Sequence, residues 1–129
     1  MSVMRLERHL RQRSAGGVTA SQYAALVTIS KKGELTLGEL AAAEGVAPPS
    51  MTRIAANLEQ AGLVHRRSDP RDRRVALVAL SPTGAALLAE ARSRRDVYLK
   101  ERLEAMAPED VDVLAHAAEL MSRLAGEVP

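Results

Sequence analysis

The stretch SDPRDRRVALVALSPTG, from Ser68 to Gly84, leaves a chain little conformational choice. Asp69-Pro70 is a turn signal: proline presets one backbone dihedral and aspartate accepts local backbone hydrogen bonds. Val75 to Leu80 follow as an apolar run of strand length. Ser81-Pro82 ends it, because serine caps a helix and proline is accommodated at a first helical position, where its missing N–H would have no partner. Just upstream, Leu63-Val64-His65-Arg66-Arg67 reads as another short strand. The two runs and the charged loop between them predict a β-hairpin that feeds directly into a helix.

The remaining pattern is helical. Val3, Leu6 and Leu10 recur at helical spacing until Ser14-Ala15-Gly16-Gly17 interrupts them. Thr19-Ala20-Ser21-Gln22 fits a capping box, and Tyr23, Leu26, Val27 and Ile29 follow as an apolar face that Gly33 closes. Thr36-Leu37-Gly38-Glu39 is read as a second capping box, opening a short helix through Leu40 and Ala43 to Gly45. Pro48 and Pro49 begin another helix, expected to run to about Ala61 with Gly62 as its stop. The helix after Ser81 is expected to reach Met106. A last one opens at Pro108-Glu109-Asp110 with an apolar stripe of Val111, Leu114, Ala118, Met121 and Leu124 or Ala125.

Composition narrows the class. A chain of 129 residues suits one domain, and 47% hydrophobic residues supply a core. With no Phe, no Trp and only Tyr23 and Tyr98, that core must be aliphatic, which suits closely packed helices. The absence of cysteine excludes disulfides, thiolate zinc sites and thiol redox sensing. The first ten residues carry charges every few positions, unlike a signal peptide, and no apolar run approaches the ~20 residues of a membrane span. A cytoplasmic protein is expected. His9, His65 and His116 are scattered without metal-ligand spacing, and no glycine-rich phosphate loop follows a strand. An enzyme is therefore disfavoured and no cofactor or metal is expected.

The net charge of +2 says little about partners, but its distribution does. Between Arg53 and Arg74 lie six arginines and only Glu59, Asp69 and Asp72 as acids, so the middle third is locally basic. The element order there is helix, turn at Gly45, helix, strand, charged loop, strand. This predicts a mainly α fold with a small β-hairpin wing, a winged helix-turn-helix. In that arrangement the second helix of the pair enters the major groove and the loop reaches an adjacent minor groove.

The helix from Pro48 can be tested for this role. At about 100° per residue, Met51, Ile54, Ala55 and Leu58 share one face, the core face. The opposite face carries Pro49, Thr52, Arg53, Ala56, Asn57 and Gln60, with Ser50 to one side; it holds one arginine and no acid. Arg can pair with guanine, Asn with adenine, and Ser or Thr with bases or phosphate. In the wing, Arg71 sits near the tip, where a narrow minor groove attracts arginine. Asp69 and Asp72 would be repelled by DNA unless paired, so one of them is expected to hold Arg73 or Arg74 and stabilise the wing. The candidate DNA contacts are Thr36, Pro49, Ser50, Thr52, Arg53, Asn57, Arg71, Arg73 and Arg74.

Leu35 to Gly84 resembles the multiple antibiotic resistance regulator (MarR) family of bacterial transcription factors. The family's Asp-x-Arg-Asp-x-Arg wing is matched by Asp69-Pro70-Arg71-Asp72-Arg73-Arg74, and its Leu-Thr-x-x-Gly strand end by Leu80-Ser81-Pro82-Thr83-Gly84. Leu58-Glu59-Gln60-Ala61-Gly62-Leu63-Val64-His65-Arg66 matches the family's link between recognition helix and wing. The specific motifs span about 50 residues, and the layout covers nearly the whole chain. The resemblance implies an obligate homodimer with interleaved terminal helices. Residues 19–80 would be the DNA-binding lobe, and 1–18 and 81–129 the dimerisation helices. The terminal helices are rich in Leu, Ala, Val and Met yet have little else in the chain to cover. A two-fold dimer implies a near-palindromic operator. Family members often act as repressors released by a small molecule; the few aromatics here favour an aliphatic pocket, or no effector at all.

Two other DNA-free or sequence-blind readings remain open at this point. A protein-interaction winged helix keeps the fold and loses the basic wing, which Arg53, Arg71 and Arg74 argue against. A non-specific architectural binder would not need Thr52, Arg53 and Asn57 in the groove.

Overall fold

In a computed structural model, residues 2–14 and 17–127 are described. Six helices and three strands follow in the order α1 (Ser2–Ser14), α2 (Ala20–Lys32), β1 (Leu35–Thr36), α3 (Leu37–Glu44), α4 (Pro48–Gln60), β2 (Val64–Asp69), β3 (Asp72–Leu80), α5 (Pro82–Glu104) and α6 (Pro108–Leu124). The sheet is antiparallel with order β1-β3-β2. The fold is the winged helix expected from the pattern, with one element more. Leu35-Thr36 pairs with Val78 and Leu77 as a two-residue strand, too short to leave a periodic signal.

Helix ends follow local chemistry. Thr19 accepts from the Gln22 amide while Gln22 Oε1 accepts from the Thr19 amide, a complete capping box. At Thr36 only half of the expected box forms: its hydroxyl accepts from the Glu39 amide, and no return bond from Glu39 accompanies it. Gly45 ends α3 at φ 65°, ψ 32°, the left-handed geometry that a Cβ disfavours. Of the interruption between α1 and α2, Ala15 and Gly16 lie outside the described residues. The hairpin strands are longer than the apolar runs suggest, extending to Asp69 and starting at Asp72, so only Pro70 and Arg71 form the turn. Cross-strand hydrogen bonding thus absorbs most of the charged loop. Helix α5 stops at Glu104 rather than Met106.

The chain divides into two compact units, Met1–Arg95 and Asp96–Pro129, with the division falling within α5. The first unit holds the core. Leu26 and Ile29 of α2, Leu40 of α3, Met51 and Leu58 of α4, Val64 of β2 and Val78 of β3 are all fully buried in one aliphatic cluster. Ile54 packs against it, completing the core face of α4. One joint in this unit is very tight. The Ser81 hydroxyl donates to the Gly62 carbonyl at 2.6 Å and accepts from the Gly84 amide at 3.0 Å. A Cβ at Gly84 would lie 2.1 Å from the Leu63 carbonyl oxygen, so only glycine fits there. The end of α4 and the start of α5 are thereby fastened together.

In the second unit, Leu99, Leu103 and Val111 line a cleft between the end of α5 and α6, and the Arg102 guanidinium lies 5.1 Å above the Tyr98 ring. Helix α6 buries no residue. Among the described residues, no helix is long and apolar enough to cross a membrane.

Candidate nucleic-acid interface

Burial of Met51, Ala55 and Leu58 fixes the rotation of α4. Its other face is open: Pro49, Thr52, Arg53 and Asn57 are exposed and Ser50 is half-buried. The Thr52 hydroxyl donates to the Pro48 carbonyl at 3.0 Å, which leaves its lone pairs as acceptors. Arg53 has no hydrogen bond or ion pair within the described residues. This face therefore presents one free guanidinium and a row of short polar groups.

The wing is shaped by its own aspartates. Asp69 Oδ1 accepts from the Arg71 amide at 2.9 Å, which closes the turn. Asp72 is the aspartate that holds an arginine. It accepts the Arg74 amide and both Nε and Nη2 of its guanidinium, at 3.1, 3.1 and 3.2 Å. Those bonds keep the Asp72 carboxyl below its ordinary pKa, the Arg74 side chain contributing most and its amide next. Arg71 and Arg73 are exposed, and their side chains have no such partner among the described residues.

Two further ion pairs were not visible in the motif pattern. Arg66 and Arg67 are neighbours on β2 and pair with acids from different elements. Arg66 gives Nε and Nη2 to Glu59 Oε1 at 3.2 and 3.0 Å, tying the wing to the C-terminal turn of α4. Arg67 makes a two-pronged pair with Glu34 at 2.9 and 2.7 Å, tying it to the segment before β1. Hydrogen bonding by Arg66 lowers the Glu59 pKa, and hydrogen bonding by Arg67 lowers that of Glu34. Of the six arginines that make the middle third basic, three are thus committed to acids. Arg53, Arg71 and Arg73 are available.

Other candidate residues are distributed around this frame. Thr36 is half-buried and its hydroxyl caps α3, yet it lines the same shallow cleft as Arg71, Asp69 and Pro70. Arg73 and Arg74 line a second cleft with Glu59 and Arg66. The glutamates could not be found from sequence as wing supports. Glu34 is 33 residues from its partner, and nothing periodic links them. Glu59 stands in the link motif, but its pairing across the turn at Gly62 needs the hairpin geometry. Among the described residues no group of three or more His, Asp or Glu is placed to hold a metal ion.

Comparison with known proteins agrees with this geometry. The model of the MarR family matches residues 18–76. An HTH-type transcriptional regulator of Mycobacterium bovis, Mb0904, is 44% identical over 130 aligned positions covering all of this chain and 91% of that protein. The HTH-type transcriptional repressor MdtR of Bacillus subtilis is 29% identical over 84% of this chain and 70% of its own length. The fold matches that of a Staphylococcus aureus MepR mutant solved with an oligodeoxyribonucleotide, with TM-score 0.75, 21% identity, and coverage of 96% of this chain and 93% of that one. These relatives are transcriptional regulators, not enzymes.

Proposed function

The chain belongs to the MarR family of DNA-binding transcriptional regulators, and on that premise we propose that it is a homodimeric repressor of a near-palindromic operator, released by a small-molecule effector. The observation that carries the proposal is the selective freedom of Arg53, Arg71 and Arg73 on a surface whose other arginines are paired. Free guanidinium groups on the open face of α4 and at the hairpin tip suit base reading in a major groove and insertion into the neighbouring minor groove. Ser50, Thr52 and Asn57 would share the major-groove contact. Pro49 would lie against the bases as an apolar surface, and Thr36 and Arg74 would lie near the backbone. Asp69 and Asp72 would act by holding the wing's shape.

Residues 19–80 would form the DNA-binding lobe. Residues 1–18 and 81–129 would provide the dimer contacts, the exposed apolar side chains of α1 and α6 supporting this division. Two copies related by a two-fold axis would place two α4 helices on successive turns of one duplex face. Such a protein works in the cytoplasm, on the chromosome.

Fluorescence anisotropy tests the reading. The purified protein is titrated against duplex DNA from beside its own gene and against a scrambled duplex, at two salt concentrations. Tighter binding to the native duplex with a steep salt slope is the expected result. Equal binding to both duplexes would favour an architectural role, and no binding to either at low salt would favour a protein-interaction module.

A further inference from the structure

Glu44 is the last residue of α3, and its surroundings are unusual for a carboxylate. It is half-buried. The Thr28 hydroxyl of α2 donates to its Oε1, and among the described residues Glu44 has no other hydrogen bond and no cationic partner. The C-terminal end of a helix carries partial negative charge, which favours cations, yet α3 has no basic residue in its last turn. A partly desolvated charge in such a place is costly unless paired.

The carboxylate also borders a cavity of about 530 Å³ in the first unit. Aliphatic side chains dominate its walls, with Val3, Leu6 and Leu10 from α1 facing Ala24 and Val27 of α2. Glu7 and Arg95 line it with opposite charges, so Glu44 sets the net sign as negative. An apolar cavity with one uncompensated carboxylate has a definite complement: a cation carried on a hydrocarbon body.

We propose that this cavity binds an organic cation, an alkyl or alicyclic ammonium, with its N–H groups paired to Glu44 and its hydrocarbon part against α1 and α2. The location gives the pairing a consequence. Gly45 follows Glu44 directly, and α4 starts three residues later at Pro48. An ammonium that draws Glu44 away from Thr28 shifts the end of α3 and the turn that leads into the recognition helix. This release step rests on the effector reading above; the binding step does not.

The test is titration calorimetry of the full-length protein with three probes of one shape: 1-aminoadamantane, 1-adamantanol and adamantane-1-carboxylate. The amine is expected to bind about tenfold more tightly than the alcohol, with the carboxylate weakest. Glu44→Gln should bring the amine down to the alcohol's affinity. Thr28→Val should keep the preference, and Ala24→Leu should weaken all three probes by filling the cavity. Thermal melts of each variant separate loss of the site from loss of the fold, and the Thr28 and Ala24 variants keep the test decisive if the Glu44 variant does not fold. Equal affinity for amine and alcohol, a preference that survives Glu44→Gln, or no binding of any probe because a second copy closes the cavity, each overturns the proposal. Duplex affinity measured with and without the amine distinguishes the two readings: amine binding with unchanged duplex affinity keeps the site and removes the release step.

Discussion

Helices α2 and α6 draw on the same aliphatic alphabet and meet opposite fates. Helix α2 buries Ala25, Leu26 and Ile29 completely, in contact with two other helices and the sheet. Helix α6 is longer and buries nothing; Val113, Leu120, Met121 and Leu124 are 66%, 45%, 48% and 90% exposed. Apolar periodicity therefore names a face without naming what covers it. Burying one large aliphatic side chain is worth about 1.5–3 kcal/mol. In α2 that energy is already used within one chain. In α6 it is not used within one chain; in the proposed homodimer it would couple folding of the last helix to the presence of a second copy.

The comparison can be broken most forcefully at α6. Leu114→Glu together with Met121→Glu should convert the proposed dimer to a monomer in sedimentation velocity and lower operator affinity by about 10²-fold or more, since two linked reading heads become one. The first unit should still melt cooperatively. A dimer that survives would show that α6 is not the interface. In α2, Leu26→Ala should cost about 2–5 kcal/mol in urea unfolding, through lost burial and the cavity left behind. A loss below 1 kcal/mol would mean that the core tolerates collapse there and is looser than its burial indicates.

Smaller effects separate reading from positioning on the proposed DNA face. Arg53→Ala should cost about 1–3 kcal/mol on the native duplex and less on a scrambled one; equal losses on both would reassign Arg53 to phosphate. Arg71→Ala should weaken binding chiefly where the flanks are A·T-rich, and unchanged affinity there would remove the minor-groove role. The smallest effect is the pH response of the wing. Glu34 and Glu59 have folded pKa values below the ordinary 4.5, and Asp72 lies below 3.8. Their contribution is present above those ordinary values and is lost as pH falls through the depressed folded ones. Amide exchange in β2 and β3, corrected for its intrinsic rate, should be flat from pH 7 to 5 and rise only in stronger acid. A rise already near pH 6 would show that these carboxylates do not hold the wing.

Much of the fold was legible because its signals are local. The capping pair Thr19 and Gln22, the glycine stops at Gly33, Gly45 and Gly62, and the Ser81-Pro82 boundary each act within a few residues. The two-residue strand β1 was not legible, since its existence depends on Val78 and Leu77, more than 40 residues onward. The hairpin tip was read as a loop because charged residues look solvent-bound, whereas cross-strand bonds extend pairing to Asp69 and Asp72. On the proposed DNA face, the open side of α4 followed from helical periodicity, and the Asp72–Arg74 pair from proximity in sequence. Glu34, Glu59 and the Thr28–Glu44 contact were missed. Each joins elements whose meeting is decided by packing.

The pairing of Arg66, Arg67 and Arg74 with acids also limits counterion chemistry. A cation already neutralised by a carboxylate releases few ions when a phosphate approaches. In the proposed complex the three unpaired arginines would correspond to a slope of log K against log salt of about −3 per chain from this surface. Six free arginines would double that figure and hold the protein on any duplex it met. With three of the six arginines between Arg53 and Arg74 occupied by acids, residence on random duplex DNA would be shorter than with all six free.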